Sequence, residues 1–292
     1  MVSLQEMITK TIKDYLIISR DLLELALRCI SGYSINFLVV VVGQRCSLKC
    51  RDCANFSPYA QKENMAYDVD SLISTLDKIL GNIRKIRLLQ IQGGEPFVYP
   101  YLGKLIDYLL LQEKIEQIVF ATNGTVIPVK YLEKLSHPKI SVRISNYPVV
   151  PKEKINSLCE VFDDSVIQYS VYNFVHGDSF WTKCGGIETP KEYDNGIVSD
   201  RYFRCGFKTC LTLENGILGK CSRAIHAKEM QKFTPKKNDY VSVTERHLKY
   251  KLIKYEFIQK INRRYFMEAC RYCYGTELSE KVTPAIQLND SA

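Results

Sequence analysis

The chain has 292 residues, of which 46% are hydrophobic and 25% charged, and its formal net charge is +8. These proportions are typical of a soluble globular protein rather than a disordered one. No run approaches the roughly 20 consecutive apolar residues of a membrane-spanning helix. Eleven cysteines without a secretory signal favour metal binding in a reducing compartment, the cytoplasm, over a disulfide framework.

Basic residues concentrate between Lys228 and Lys254 and again at Arg263 and Arg264. Two interpretations are open: a solvated helical face, or a surface that attracts an anionic small-molecule substrate. A nucleic-acid surface would combine more aromatic residues with a denser basic stripe. Nucleic acid is therefore not favoured as a partner.

The predicted elements begin with one amphipathic helix over 4–30. From 36 to about 173, strands and helices alternate, which predicts βαβ units and a parallel sheet. The predicted strands are 36–43, 86–92, 116–122, 139–146 and 166–172, and the helices are 68–80, 101–113, 128–135 and 151–162. A loop or lid follows over 176–204, then a β-hairpin turning at Asn215–Gly216 and a helix over 243–268.

Two of the predicted strands carry polar residues on one face. Alternation places Gln90 with Gln92, and Arg143 with Ser145, because neighbouring strand residues point to opposite sides. A closed eight-stranded barrel is filled mainly by branched apolar side chains. A polar face therefore indicates a wider, incomplete barrel around a polar ligand.

Three cysteines follow the first predicted strand at the spacing C-x3-C-x2-C: Cys46, Cys50 and Cys53. They lie in a loop at the carboxyl end of that strand, where α/β sheets and barrels place their active sites. Iron–sulfur clusters normally take four thiolates, so three leave one iron open, and an open position marks a reactive metal. A zinc knuckle and a disulfide pair are the alternatives, although the nearest histidine is His137.

This spacing resembles the signature of the radical S-adenosylmethionine (SAM) enzymes. The resemblance implies an α/β fold, a partial (β/α)6 TIM barrel, with a [4Fe–4S] cluster on the three cysteines. It also implies that SAM binds the open iron and is cleaved reductively to methionine and a 5′-deoxyadenosyl radical. An electron donor such as a flavodoxin or ferredoxin is the implied protein partner.

The run after the second predicted strand, Gly93-Gly94-Glu95-Pro96, resembles the family's GGEP motif, whose backbone and Glu hold the amino group of SAM. Independently, glycines let backbone approach a ligand closely, and a carboxylate complements an ammonium group. The alternative is an ordinary strand-to-helix turn.

Further SAM contacts are implied by position alone. They are Asn123, Arg143, Ser145 and Asn146, with polar strand caps as the alternative. Asp52 departs from the family, which often has an aromatic residue there, near adenine.

A second group of cysteines follows the core. Cys205 and Cys221 flank the hairpin, and Cys270 and Cys273 form a C-x2-C turn. A hairpin and a C-x2-C turn both hold their thiols on backbone of well-defined conformation. Together they predict a four-ligand site for an iron–sulfur cluster or zinc. The spacing C-x10-G-x4-C from Cys205 to Cys221 resembles the SPASM and twitch extensions of radical SAM enzymes. That resemblance implies one auxiliary [4Fe–4S] cluster, in a layout similar to the 2-deoxy-scyllo-inosamine dehydrogenases.

The remaining cysteines are interpreted mainly as packing residues. Cys29 and Cys159 fall within helical patterns. Cys184 and Cys210 are either packing residues, hydrogen-atom donors or further cluster ligands. Trp181 is expected in the wall of the substrate pocket or in the core.

The predicted organisation is an N-terminal helix to 35, a radical SAM core over 36–175, a lid over 176–204, a twitch-like hairpin-plus-helix cluster domain over 205–275 and a tail over 276–292. The predicted function is a SAM-cleaving oxidoreductase acting on a small polar molecule such as a sugar or cyclitol alcohol. The alternatives are a radical SAM epimerase, a peptide-modifying enzyme, or a non-enzymatic electron-transfer or zinc-structural protein.

Overall fold

In the computed structural model, the described residues are 33–174, 180–183, 190–209, 211–229, 239–243, 266–277 and 279–288. The helix predicted over 4–30 and nearly all of the one predicted over 243–268 lie outside them. So do Cys29, Cys184 and Cys210, together with most of the basic cluster that begins at Lys228.

One large sheet organises the described residues, with strand order β5-β4-β3-β2-β1-β7-β8-β9. Its strands are β1 Ser34–Val41, β2 Lys85–Gln92, β3 Ile115–Thr122, β4 Ile140–Asn146, β5 Tyr169–Asn173, β7 Leu211–Glu214, β8 Ile217–Lys220 and β9 Tyr240–Ser242. The five strands predicted in the core are confirmed, and β1 to β5 pair in parallel. Two short strands, β6 Trp181–Lys183 and β10 Glu280–Val282, pair with each other.

The predicted hairpin is confirmed and is continuous with the core sheet. β7 pairs antiparallel with β8 and parallel with β1, with Leu38 opposite Leu211 and Val41 opposite Glu214. The sheet thus has six parallel strands from β5 to β7, followed by two antiparallel ones. It is open in the described part of the chain, since β5 and β9 are its two ends, as expected for a partial barrel.

Six α-helices in the described part of the chain lie between the strands in sequence. They are α1 Val69–Asn82, α2 Leu102–Leu110, α3 Leu132–Leu135, α4 Lys152–Asp164, α5 Asn195–Arg204 and α6 Ser222–Glu229. The Asp68 side chain caps α1 by accepting from the amide of Ser71. Fully buried apolar side chains of α1, α2 and α4, such as Leu76, Leu105 and Leu158, pack against the sheet.

The sequence does not predict α5 or β9. Helix α5 lies inside the segment predicted as a lid, and only Val198 and Tyr202 of its residues are buried, so it has little apolar periodicity. Its amino end is capped by Asp194, which accepts from the amide of Ile197, and its carboxyl end is Cys205. The helix therefore delivers the first cysteine of the second group.

Candidate active site

A cavity of about 510 Å³ opens at the carboxyl ends of the parallel strands. All three cysteines of the triplet line it, as do both glycines of the Gly-Gly-Glu-Pro run. Its walls also include the predicted polar strand residues, namely Gln90, Gln92, Arg143 and Ser145. The polar inner face expected from the alternation is therefore present and surrounds this space.

The triplet lies in a loop that directly follows β1, here called the cysteine loop (residues 43–56). Cys50 is buried, and Cys46 and Cys53 are half-buried. Cys46 Sγ accepts from the amide of Leu48 at 3.4 Å and from Asn123 Nδ2 at 3.6 Å. Burial raises the pKa of Cys46 to about 12 and that of Cys50 to about 11. Thiolates in such surroundings require a cationic partner such as iron.

The two glycines of the run bring β2 against the cysteine loop. A Cβ added at Gly93 would lie 2.1 Å from the Gly43 carbonyl oxygen, and one at Gly94 would lie 2.2 Å from that of Arg45. The Gly94 amide donates to Gly43 O at 3.0 Å. These positions thus require glycine for backbone-to-backbone packing as well as for access to the cavity.

Glu95 is turned away from the cavity and is only 1% exposed. Oε1 accepts from the Phe97 amide at 3.1 Å and from Thr122 Oγ1 at 2.8 Å. Oε2 accepts from the amide of Asn123 at 2.8 Å. Burial raises the pKa of Glu95 to about 7, against the lowering effect of these hydrogen bonds. The carboxylate therefore ties the end of β2 to the end of β3, which differs from the expectation that it meets an ammonium group directly.

The other residues predicted to contact SAM divide into two groups. Asn123, Arg143 and Ser145 line the cavity. Asn146 instead donates from Nδ2 to Asn173 Oδ1 at 2.9 Å, and buried Pro96 begins the short helical turn after β2. Neither Asn146 nor Pro96 is among the residues that line the cavity.

An aromatic wall closes one side of the cavity. Tyr147 and Trp181 both line it, and their rings meet edge to face with centroids 5.3 Å apart. The ring of Phe174 also packs against Tyr147, with the ring centroids 5.1 Å apart. The sequence suggests a pocket role for Trp181 but gives no signal for Tyr147, which is brought there by the end of β4.

A second, smaller cavity of about 40 Å³ is lined by all four cysteines of the second group. Cys205 ends α5, Cys221 follows β8, and Cys270 and Cys273 belong to a helical turn and its end. Four cysteines from distant parts of the sequence thus converge on one small cavity. Burial raises the pKa of Cys270 to about 12.

The backbone of Cys221 is unusual, with φ +72°. This left-handed conformation is uncommon for residues other than glycine. It occurs between β8 and α6, where the chain turns sharply while its side chain lines the small cavity. Such strain at a single residue is typical of functional sites.

The donor sets fit two iron–sulfur clusters. Three thiols beside open space suit a cluster with one iron left for a small ligand, and four thiols around one small cavity suit a fully ligated cluster. In the part of the chain that the structure describes, no group of three or more Cys, His, Asp or Glu residues could hold a single metal ion.

A buried polar network beneath the cysteine loop has no signal in the sequence. Glu214, at the end of β7, contacts His226 Nδ1 of α6 and accepts from Gln44 Nε2 at 2.7 Å and from Tyr67 Oη at 2.8 Å. His226 Nε2 lies 3.1 Å from Asn55 Oδ1, and Asn55 donates to Gly93 O at 2.8 Å. The network connects the hairpin and α6 to the cysteine loop and the cavity wall.

Comparison with known proteins finds a family model that matches part of the chain. Residues 40–159, which include the cysteine triplet and the Gly-Gly-Glu-Pro run, match the family model of the Radical SAM superfamily. This part of the chain is thus similar to the Radical SAM superfamily, and the open α/β sheet is consistent with the partial TIM barrel of that class. No helix among the described residues is both long and apolar enough to cross a membrane.

Two curated relatives share part of the chain. The GTP 3′,8-cyclase of Syntrophomonas wolfei is 29% identical over 170 residues, which cover 56% of this chain and 50% of the relative. The antilisterial bacteriocin subtilosin biosynthesis protein AlbA of Bacillus subtilis is 33% identical over 104 residues, covering 35% of this chain and 22% of that protein. The matched region therefore spans about half the length of the first relative and less than a quarter of the second.

Among solved structures, the fold is similar to that of BtrN, determined in complex with AdoMet and 2-DOIA. The TM-score is 0.51, and the alignment covers 88% of this chain and 100% of BtrN at 15% sequence identity. At this identity the likeness concerns the fold alone. It extends beyond the residues that match the family model.

Proposed function

We propose that the chain is a radical SAM oxidoreductase that oxidises an alcohol of a small polar molecule, such as a sugar or cyclitol. The observation that carries this proposal is the pair of thiol-lined cavities. Three cysteines line the large cavity and four line the small one, and Phe207 belongs to the walls of both. A site for radical formation and a site for a second electron would thus be neighbours.

The bound groups would supply a 5′-deoxyadenosyl radical in the large cavity and an acceptor for the second electron of the oxidation in the small one. Cys46, Cys50 and Cys53 would hold the SAM-binding [4Fe–4S] cluster. The auxiliary [4Fe–4S] cluster would be held by Cys205, Cys221, Cys270 and Cys273.

The residues around the large cavity would bind and orient SAM and the substrate. Asn123, positioned by Glu95 through its amide, would contact SAM together with Arg143 and Ser145. Gln90 and Gln92, joined by a hydrogen bond of 2.6 Å, offer amide groups to substrate hydroxyls. Tyr147 and Trp181 exclude water from one side, which protects a radical from side reactions.

The size and chemistry of the large cavity support a small polar substrate. Its volume of about 510 Å³ lies within the range of roughly 300–1,000 Å³ that is usual for small-molecule sites. The guanidinium of Arg143 gives it a cationic group, and the chain's formal charge is +8. These features also suit an anionic or nucleotide-linked substrate, as the name of the GTP 3′,8-cyclase relative suggests. We place the enzyme in the cytoplasm with a flavodoxin or ferredoxin as electron donor.

Product analysis of two cysteine variants tests the reaction type. With dithionite, we expect the purified anaerobic enzyme to convert SAM to 5′-deoxyadenosine and to form a ketone from an accepted alcohol. Cys50→Ala should lose SAM cleavage. Cys273→Ala should keep it but form no ketone. Cys159→Ala, a change in α4 away from both cavities, is the control and should match the unaltered enzyme.

Two outcomes would contradict the proposal. Retention of SAM cleavage in Cys50→Ala would show that the triplet holds no catalytic cluster. A product with unchanged oxidation state and solvent deuterium at the reacting carbon would indicate an epimerase instead. In that case Cys184 or Cys210 becomes the candidate hydrogen-atom donor, and each would be replaced by alanine in turn.

A further inference from the structure

The C-terminal segment 279–288, here called the C-terminal strap, runs from the second cysteine group to the first. It begins beside Gly275, whose carbonyl accepts from Ser279 Oγ. Its strand β10 then pairs with β6, which contributes Trp181 to the wall of the large cavity. The strap ends on the cysteine loop, where Cys50 and Gln287 form an antiparallel bridge.

The backbone of the strap fixes it to the cysteine loop on both sides of Cys50. The Arg51 amide donates to Ile286 O at 2.8 Å, and the Leu288 amide donates to Lys49 O at 2.8 Å. Ala285, just before this pairing, is 1% exposed and has φ +56°. A buried non-glycine residue in this conformation indicates that the surrounding structure holds the turn firmly.

The side-chain amide of Gln287 has a single orientation that satisfies its neighbours. The Lys49 amide can only donate, and it donates to Gln287 Oε1 at 2.7 Å. This contact turns Nε2 toward the sulfur of Cys50, at 3.3 Å, and toward Ala285 O, at 2.7 Å. Both protons of the amide group are thus used, and one of them points at a thiol of the triplet.

We propose that Gln287 is a positioning and tuning residue for the cluster on the triplet: its amide donates to Cys50 Sγ and raises the cluster's reduction potential. This inference rests on the proposed function, since it assumes a cluster at Cys46, Cys50 and Cys53. Reduction adds negative charge to the cluster and its sulfur ligands. A hydrogen-bond donor stabilises that added charge, and hydrogen bonds to the sulfurs are among the determinants of cluster potentials.

The test is a redox titration of the reconstituted enzyme without SAM, followed by visible absorption and electron paramagnetic resonance. Dithionite supplies the single electron that reduces each cluster. Gln287→Glu keeps an oxygen for the Lys49 amide but replaces the donor with a carboxylate. We expect the triplet cluster in this variant to hold its iron and to reduce at lower potential. A tenfold fall in the ratio of reduced to oxidised cluster would correspond to 59 mV.

Two further variants separate tuning from folding. Gln287→Leu removes all three side-chain hydrogen bonds and should also lower the potential, with some loss of iron if the loop loosens. Ile286→Ala alters a neighbouring, partly exposed side chain while leaving the backbone pairing, so its potential should equal that of the unaltered enzyme. An unchanged potential in both Gln287 variants, with iron retained, would overturn the proposal. Absence of an iron–sulfur cluster that depends on Cys50 in the unaltered enzyme would instead refute the proposed function.

Discussion

Glu95, in the Gly-Gly-Glu-Pro run, fixes the end of the neighbouring strand β3. A GGEP run suggests a carboxylate facing a ligand, yet here the side chain is buried and accepts three hydrogen bonds from the chain itself. Its effect on a ligand would therefore pass through Asn123, whose amide it fixes and whose side chain contacts Cys46.

Glu95→Gln should therefore destabilise the protein even without any cofactor. An amide in place of the carboxylate has only one acceptor oxygen, so the Asn123 amide would face another donor. An unsatisfied buried donor costs about 1–3 kcal/mol. Urea denaturation of the metal-free protein measures this loss, with the exposed Glu116→Gln as control. An unchanged midpoint in Glu95→Gln would show that the three hydrogen bonds contribute nothing to folding.

Cys221 has a side chain that lines the small cavity and a left-handed backbone conformation that usually requires glycine. A left-handed residue other than glycine costs roughly 1–2 kcal/mol. Cys221→Gly should therefore make the metal-free protein more stable than Cys221→Ala by about 1 kcal/mol, while both variants lose the auxiliary cluster. Denaturation midpoints and iron content are measured on the same samples. Equal stability of the two variants would show that this backbone conformation carries no strain.

A buried pair of ionisable groups joins the hairpin and α6 to the cysteine loop: Glu214 at the end of β7, and His226 of α6. Burial alone would raise the pKa of Glu214, but His226, Tyr67 and Gln44 together hold it below the usual value. A carboxyl whose pKa is lower in the folded state stabilises the protein above its unfolded pKa, and this contribution is lost as pH falls through the folded pKa.

Glu214→Gln should accordingly make the free energy of unfolding less dependent on pH in the acid range. The free energy of unfolding of the unaltered protein should fall between about pH 5 and pH 3 by more than that of the variant. Denaturant titrations at both pH values give the two differences, and Glu153→Gln, on exposed α4 surface, serves as control. Equal falls in the unaltered protein and in Glu214→Gln would contradict the role assigned to the pair.

The sequence predicts the features that depend on neighbouring residues, and it does not predict those that depend on contacts between residues far apart in the chain. The core strands follow from local apolar alternation, and the cysteine spacings locate both thiol groups. Helix α5 is not predicted because only Val198 and Tyr202 face the core. The Glu214–His226 contact joins two different elements, and the Gln287–Cys50 hydrogen bond joins residues far apart in sequence. No local sequence pattern predicts either contact.

In the whole molecule, the second cysteine region is built into the sheet of the core rather than placed beside it. β1 lies between β2 and β7, and its residues Leu38 and Val40 are fully buried. Loss of β7 would leave a central apolar strand as an exposed edge, which is prone to aggregation.

A chain ending at residue 204 should therefore fail to give a stable monomer. Size-exclusion chromatography is expected to show aggregates or no soluble protein. A chain ending at residue 288, which keeps the hairpin and the C-terminal strap, should elute like the full protein. A folded monomer from the shorter chain would show that the core is independent of the hairpin.

The central claim is that seven cysteines hold two iron–sulfur clusters, three on one and four on the other. Iron and sulfide analysis of anaerobically reconstituted protein tests it most directly. We expect about eight irons per chain, about four after replacement of Cys46, Cys50 and Cys53 by alanine, and about four after replacement of Cys205, Cys221, Cys270 and Cys273. Zinc in place of iron at the second group, or no loss of iron in the triple variant, would contradict the account.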